Sequence, residues 1–287
     1  MPSKISPLIS PEALTSLAKQ NLVIIDARSG PGAADKYKQA HLQDAIFVDL
    51  ENQLSDKKQN AADGGRHPLP SATQFASLLS ELGIQPGDHI VVYDDKNGAN
   101  AAARFWWMMR AAGHENVQVI DGGYDSAVKA GFPTTAEVPA AKPASNYSIE
   151  KWQWPIVNMQ EVDSVRSNDD YYIIDVREAV RFDGITEPID LIAGHIPGAH
   201  NIPFSSNLDS EGKFLSPQQL KEKYEDAIGN RKTEDVIVHC GSGVTACHTI
   251  LAMDSAGMDI PNLYVGSWSE WSRNDKPIAT LHNPEGK

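Results

Sequence analysis

The sequence predicts an α/β fold in two tandem copies, each a parallel sheet flanked by helices. Three observations predict it: the chain length, an internal repeat, and the alternation of short apolar runs with helix-like stretches. At 287 residues the chain is long for one ordinary domain, and two halves fit the usual domain size better. Four pairs of segments recur in the same order. Leu22-Val23-Ile24-Ile25-Asp26-Ala27-Arg28 matches Tyr172-Ile173-Ile174-Asp175-Val176-Arg177, and His41-Leu42 matches His195-Ile196. His89-Ile90-Val91-Val92-Tyr93-Asp94 then matches Val236-Ile237-Val238-His239-Cys240, and Gly122-Gly123-Tyr124 matches Gly266-Ser267-Trp268. Their separations stay at roughly 145 to 155 residues, as a duplicated unit requires.

The Val- and Ile-rich runs in these pairs read as strands buried on both faces. Helix starts are marked by capping signals: Ser71 with Gln74, Asn158 with Glu161, and Ser216 with Gln219, where Pro217 suits the first helical position. Trp106, Trp107 and the adjacent methionines form an apolar run at helical spacing that suits a core. The Pro- and Ala-rich segment from Pro133 to Ser145 lacks periodicity and reads as a linker. The expected division is a first domain over residues 1–133, a linker over 134–150 and a second domain over 151–287.

Composition narrows the function classes. Hydrophobic residues at 41% and charged residues at 22% describe a folded globular chain. A net charge of −13 argues against nucleic acid and anionic membrane surfaces as partners, although a local basic site can still hold a small anion. No stretch approaches the roughly 18 apolar residues of a membrane span, and the N-terminal MPSKISPLISPEAL has no apolar signal region. A cytoplasmic protein is expected. Cys240 and Cys247 are too few for a disulfide framework or a four-ligand zinc site, so a reducing compartment is expected.

One segment stands out chemically. Cys240-Gly241-Ser242-Gly243-Val244-Thr245 lies between the strand Val236-Ile237-Val238 and a helix expected over Ala246 to Met253. A strand, a glycine-rich turn and a helix start gather backbone amides and a positive helix end around one side chain. Such a cradle stabilises a thiolate or an anionic persulfide, with both glycines free to adopt positive φ. A lone cysteine at a strand end is otherwise an inert small hydrophobe. His239-Cys240 also begins the pattern of cysteine phosphatases, but the position of their phosphate-binding arginine is Ala246.

The Cys240–Thr245 loop resembles the active loop of two-domain (tandem rhodanese) sulfurtransferases of the 3-mercaptopyruvate type. Arg104-Phe105-Trp106-Trp107-Met108-Met109-Arg110, Gly194-His195-Ile196-Pro197-Gly198-Ala199 and Gly266-Ser267-Trp268 carry the likeness along most of the chain. The resemblance implies two rhodanese-like domains with only the second catalytic, and Asp94 stands at the matching position of the first. It implies that Cys240 carries sulfur as a persulfide and that Arg181 binds a small anionic sulfur donor, where the alternative is a solvated surface arginine. Gly241, Gly243, Val244 and Thr245 are expected around the bound donor, and Thr245 could equally cap the helix. Ser242, with His67 and the acidic Glu51 (Asp49 is a neighbouring candidate), is implied as a proton relay, where the alternative for His67 is a plain loop histidine. The 187–190 stretch, Glu187-Pro188-Ile189-Asp190, lacks the second arginine of some members.

The expected reaction moves sulfane sulfur from 3-mercaptopyruvate to a thiol, cyanide or a thioredoxin-like acceptor, and it calls for neither a metal nor an organic cofactor. Thiosulfate is the alternative donor, and a persulfide carrier without turnover is a further alternative. Gly241 and Ser242 leave the loop itself without positive charge, which favours mercaptopyruvate. Asp26, Arg28, Asp175 and Arg177, like His41 and His195, recur in both repeats and are read as structural. Cys247, one turn into the helix, is expected to be packed. A monomer is expected.

Overall fold

The structure is a computed structural model describing residues 5–18, 20–140 and 143–286. The chain forms two compact units: Met1–Asp56 with Pro70–Trp154 and Ser210–Phe214, and Lys57–Leu69 with Pro155–Asp209 and Leu215–Lys287.

The first unit is built on five parallel strands: β1 (Leu8–Ile9), β2 (Leu22–Asp26), β4 (Ala45–Phe47), β5 (His89–Tyr93) and β6 (Val117–Ile120). They lie in the order β1-β6-β5-β2-β4. A short antiparallel pair, β3 (His41–Leu42) and β7 (Thr134–Thr135), stands beside it. Its helices are α1 (Pro11–Thr15), α2 (Ala33–Gln39), α3 (Ala72–Glu81), α4 (Ala101–Ala111) and α5 (Gly123–Lys129). The second unit repeats the plan with β8 (Ile156–Val157), β9 (Tyr172–Asp175), β10 (Ala199–Asn201), β11 (Val236–His239) and β12 (Asn262–Tyr264), ordered β8-β12-β11-β9-β10 and all parallel. Its helices are α6 (Met159–Val165), α7 (Ala179–Phe182), α8 (Pro217–Ile228), α9 (Ala246–Ser255) and α10 (Ser267–Trp271). Ranked by chain order within each unit, the two sheets have the same strand sequence. The α/β duplication read from the repeat is therefore the observed fold.

The expected capping boxes form at Ser71 with Gln74, Asn158 with Glu161 and Ser216 with Gln219, each satisfying helix amides that would otherwise be unpaired. Every residue of α4 is buried, Trp106 and Trp107 completely, as a helix that is apolar nearly all round requires. In the 134–150 stretch, β7 pairs with β3, the Ser145 amide donates to the Ser80 carbonyl at 2.9 Å, and Tyr147 hydroxyl meets His114 Nδ1 at 2.8 Å.

Each sheet carries the same strand-end staple. Arg28 Nη2 donates to Asp26 Oδ2 at 2.6 Å and to the Ala40 carbonyl at 2.8 Å, with its guanidinium 4.6 Å from the Tyr124 ring centre. Arg177 Nη2 donates to Asp175 Oδ2 at 2.5 Å and to the Gly194 carbonyl at 2.6 Å, 4.6 Å from the Trp268 ring centre. Breaking one partner of such a buried pair strands a charge, so these residues hold strand ends to loops. The recurrent histidines also have structural contacts: His41 stacks on Tyr37 and His195 on Phe182, each bonded through Nδ1 to that ring's own backbone carbonyl. Among the described residues no helix is long and apolar enough to cross a membrane, and no cluster of metal-ligating side chains occurs.

Candidate active site

In the second unit the middle strand β11 ends at His239, and the chain turns through Cys240–Thr245 into α9. Ligands of open parallel sheets are met at this edge, beyond the strand C-termini. Cys240 is a buried free thiol. The Ser242 amide donates to its Sγ at 3.5 Å. The Cys240 amide donates to Ser267 Oγ at 3.2 Å, and the Cys240 carbonyl accepts from the Trp268 amide at 3.0 Å. With the Ser269 amide on the Gly241 carbonyl at 2.8 Å, the turn is fastened to the segment that follows β12.

The two loop glycines do different work. Gly243 has φ +72°, and a Cβ there would stand 2.5 Å from the Val265 carbonyl oxygen, so both backbone angle and space require glycine. Gly241 lies outside the positive-φ region, which corrects the expectation that both glycines supply it. Its small size matters for a different reason: a Cβ would meet Arg66 Nη2 at 3.0 Å and Arg181 Nη2 at 3.4 Å. Thr245 occupies the N-cap position of α9 but makes no side-chain capping bond, because its own φ and ψ of −68° and −22° are already helical. Capping is thus corrected as its role. Val244 is buried in the same turn.

Ser242 and His67 come together: His67 Nδ1 lies 2.7 Å from Ser242 Oγ, and both side chains are largely buried. The Lys57–Leu69 segment that carries His67 packs within the second unit. Its Gly64 amide donates to Glu270 Oε1 at 3.1 Å and its Arg66 amide to Ser269 Oγ at 3.0 Å. Gly65, at φ +83°, lets the backbones approach so closely that a Cβ would sit 2.4 Å from the Gly266 carbonyl oxygen. Glu51 belongs to the first unit, in the turn after β4, where its amide donates to Asp49 Oδ1 at 3.0 Å.

Arg181, in α7, is buried rather than a solvated surface group. Its Nε donates to both Glu187 oxygens at 3.0 and 3.1 Å, and its Nη2 to Asp190 Oδ2 at 3.3 Å. Burial disfavours the charged guanidinium, but Glu187, with Asp190 and Glu178, outweighs it and holds the Arg181 pKa above its ordinary value. Three residues of this cluster were not singled out as binding groups from the sequence: Arg66, Asp190 and Arg273. Asp190 Oδ1 accepts from Arg66 Nε at 2.9 Å and from Arg273 Nη1 at 3.2 Å.

Cys247 is packed in α9 as expected, its Sγ 3.3 Å from the Gly243 carbonyl oxygen. His239 is fully buried next to Cys240 in the chain, and burial pushes its pKa below the ordinary imidazole value. It is therefore neutral near pH 7, and its 3.7 Å approach to Asp175 is not an ion pair there.

The first unit has a carboxylate where the second has sulfur. Asp94 is buried at the end of β5, and four amides converge on it: Lys96 and Gly98 on Oδ1 at 2.9 Å each, Asn100 and Ala102 on Oδ2 at 3.1 and 3.2 Å. Burial still outweighs these four donors and pushes the Asp94 pKa above the ordinary carboxylate value.

Comparison with known proteins gives a consistent picture. The model of the rhodanese-like domain matches residues 10–130 and 158–274. A probable 3-mercaptopyruvate sulfurtransferase of Pseudomonas aeruginosa is 34% identical, with 95% of this chain and 97% of the relative covered. A putative thiosulfate sulfurtransferase of Mycobacterium tuberculosis is 37% identical over 89% of this chain and 90% of that protein. The solved 3-mercaptopyruvate sulfurtransferase from Leishmania major superposes with a TM-score of 0.81 at 28% identity, covering 95% of this chain and 75% of the other.

Proposed function

Because the chain belongs to the rhodanese-like family, with two such domains, and is a sulfurtransferase, we propose that its second unit carries sulfur between substrates on Cys240. The Cys240 thiolate attacks the sulfur of 3-mercaptopyruvate. The sulfur–sulfur bond forms as the carbon–sulfur bond breaks, and the bonding pair leaves as the enolate of pyruvate. The donor's thiol proton balances the step by ending on the enolate carbon, leaving Cys240 as an anionic persulfide. A thiolate, cyanide or a thioredoxin-like dithiol then attacks the outer sulfur and restores the Cys240 thiolate. Dividing one transfer into two displacements is what covalent catalysis offers.

The observation that carries this reading is the 2.7 Å contact between Ser242 and His67, two residues along from the nucleophile. A hydroxyl paired with an imidazole passes a proton between donor sulfur and enolate carbon, a need that mercaptopyruvate has and thiosulfate lacks. The Ser242 amide on Sγ supports charge on the nucleophile. A second donor, thiosulfate, is favoured by one observation: the guanidinium nitrogens of Arg66 and Arg181 stand close over Gly241, supplying positive charge that the loop sequence lacks.

Intact-mass spectrometry after donor treatment tests the nucleophile. Wild type and Cys247→Ala should each gain one sulfur atom, and Cys240→Ala none. Steady release of pyruvate with a thiol acceptor is expected; loading of one sulfur without turnover would make the protein a carrier instead.

A further inference from the structure

Three guanidinium groups converge on one fully buried carboxylate beside Cys240. Asp190 Oδ1 accepts from Arg66 Nε and Arg273 Nη1, at 2.9 and 3.2 Å. Its Oδ2 accepts from Arg66 Nη2 and Arg181 Nη2, each at 3.3 Å. Its side chain has 0% exposure, while those of Arg66, Arg181 and Arg273 have 27%, 10% and 22%. The arginines come from separate stretches of chain: the 57–69 segment, α7 and the residues after α10. Asp190 is the point they share. A Cβ on Gly241 would meet Arg66 Nη2, Arg181 Nη2 and Asp190 Oδ2 at 3.0, 3.4 and 3.4 Å, so this knot of charge lies directly over the peptide that follows the nucleophile. At Asp190 itself three positive groups face one buried negative one, and Glu187 is shared by Arg181 and Arg177.

We propose that Asp190 is a positioning residue that sets the donor preference of the Cys240 site: it aims Arg66 and Arg181 over Gly241 while cancelling part of their charge, so that a donor with one carboxylate is favoured over a dianion. This rests on the sulfur-transfer reading above. A dianion responds to each added unit of positive charge about twice as strongly as a monoanion at the same distance, so the local net charge acts on the ratio of donors. A carboxylate that served folding alone would move both donors together.

The test compares kcat/KM for 3-mercaptopyruvate and thiosulfate, with cyanide as the common acceptor. The proteins are wild type, Asp190→Asn, Asp190→Glu and the double variant Asp190→Asn with Arg66→Gln. In Asp190→Asn the thiosulfate-to-mercaptopyruvate ratio should rise about tenfold, through KM rather than kcat. The double variant restores the local charge, and its ratio should return to within about threefold of wild type. Asp190→Glu keeps the charge and should keep the ratio. An unchanged ratio in Asp190→Asn overturns the proposal, whether both efficiencies fall or neither does. If Asp190→Asn does not fold, Arg66→Gln alone decides: removing one positive charge must lower thiosulfate efficiency more than that of mercaptopyruvate, and equal losses overturn the proposal. Failure of the underlying reading looks different, because wild-type Cys240 would then gain no sulfur from either donor.

Discussion

Ser242 and His67 are 175 positions apart in the chain and meet at hydrogen-bond distance. For the relay, Ser242 O–H donates to Nδ1, which requires the imidazole proton on Nε2 before the transfer. Replacing Ser242 by Ala or His67 by Gln should therefore lower kcat/KM for mercaptopyruvate by about 10²–10⁴, with a much smaller loss for thiosulfate, whose sulfite leaves without needing a proton. Parallel assays of pyruvate and sulfite release check this, and equal losses for both donors would remove the relay. The Cys240 turn was marked by a glycine-rich stretch after a strand, whereas the pairing of Ser242 with His67 came only from the family resemblance, and the structure adds their contact. The Asp190 cluster was not legible. Arg66 lies 124 positions from Asp190 and Arg273 lies 83, and an ion pair at such range leaves no periodicity or spacing in the sequence. The missing arginine in the Glu187–Asp190 stretch was visible, but the arginine that reaches Asp190 from the 57–69 segment was not.

At the scale of one turn, the same strand–loop–helix has been filled in two ways. Asp94 accepts from four amides, those of Gly98 and Ala102 in buried bonds, so Asp94→Ala should leave at least two buried donors without an acceptor and cost about 2 kcal/mol or more, read as a lower midpoint in urea. Burial nevertheless outweighs those amides and holds the Asp94 pKa above the ordinary carboxylate value, so the loop disfavours an anion despite its donors. Gly243 gives the companion test. Gly243→Ala meets both a positive φ and a carbonyl oxygen at 2.5 Å, so it should cost roughly 1–3 kcal/mol and disable Cys240 without touching it. Normal sulfur loading by a folded Gly243→Ala protein would show that the turn tolerates reshaping. The capping boxes were read correctly because they are local, whereas the Thr245 backbone angles depend on how the turn is fastened to Ser267 and Trp268.

Across the whole molecule, the repeat carried the fold: equal strand orders in two sheets follow from four matched segments, and the order of strands within each sheet was the part that no segment encodes. Titration is a property at this scale. Burial lowers the pKa of His114, His195, His200 and His239. A histidine with a depressed folded pKa is neutral in the native state, while the unfolded chain takes up protons near its ordinary value of about 6.5. This contribution to stability is intact above that pH and lost as pH falls below it, by at most about 1.4 kcal/mol per pH unit for each histidine. Thermal denaturation should thus show Tm falling from pH 7 to pH 5, with a shallower fall in His239→Gln. A flat profile would mean that these imidazoles are protonated in the native state. The Lys57–Leu69 segment adds a consequence of another kind. It runs between stretches of the first unit yet belongs to the second, while Ser210–Phe214 makes the reverse excursion. Each unit thus includes a stretch of chain from outside its own half of the sequence. Whatever point is chosen for one scission of the chain, no fragment retains both the Cys240 turn and all of its own unit while shedding the rest.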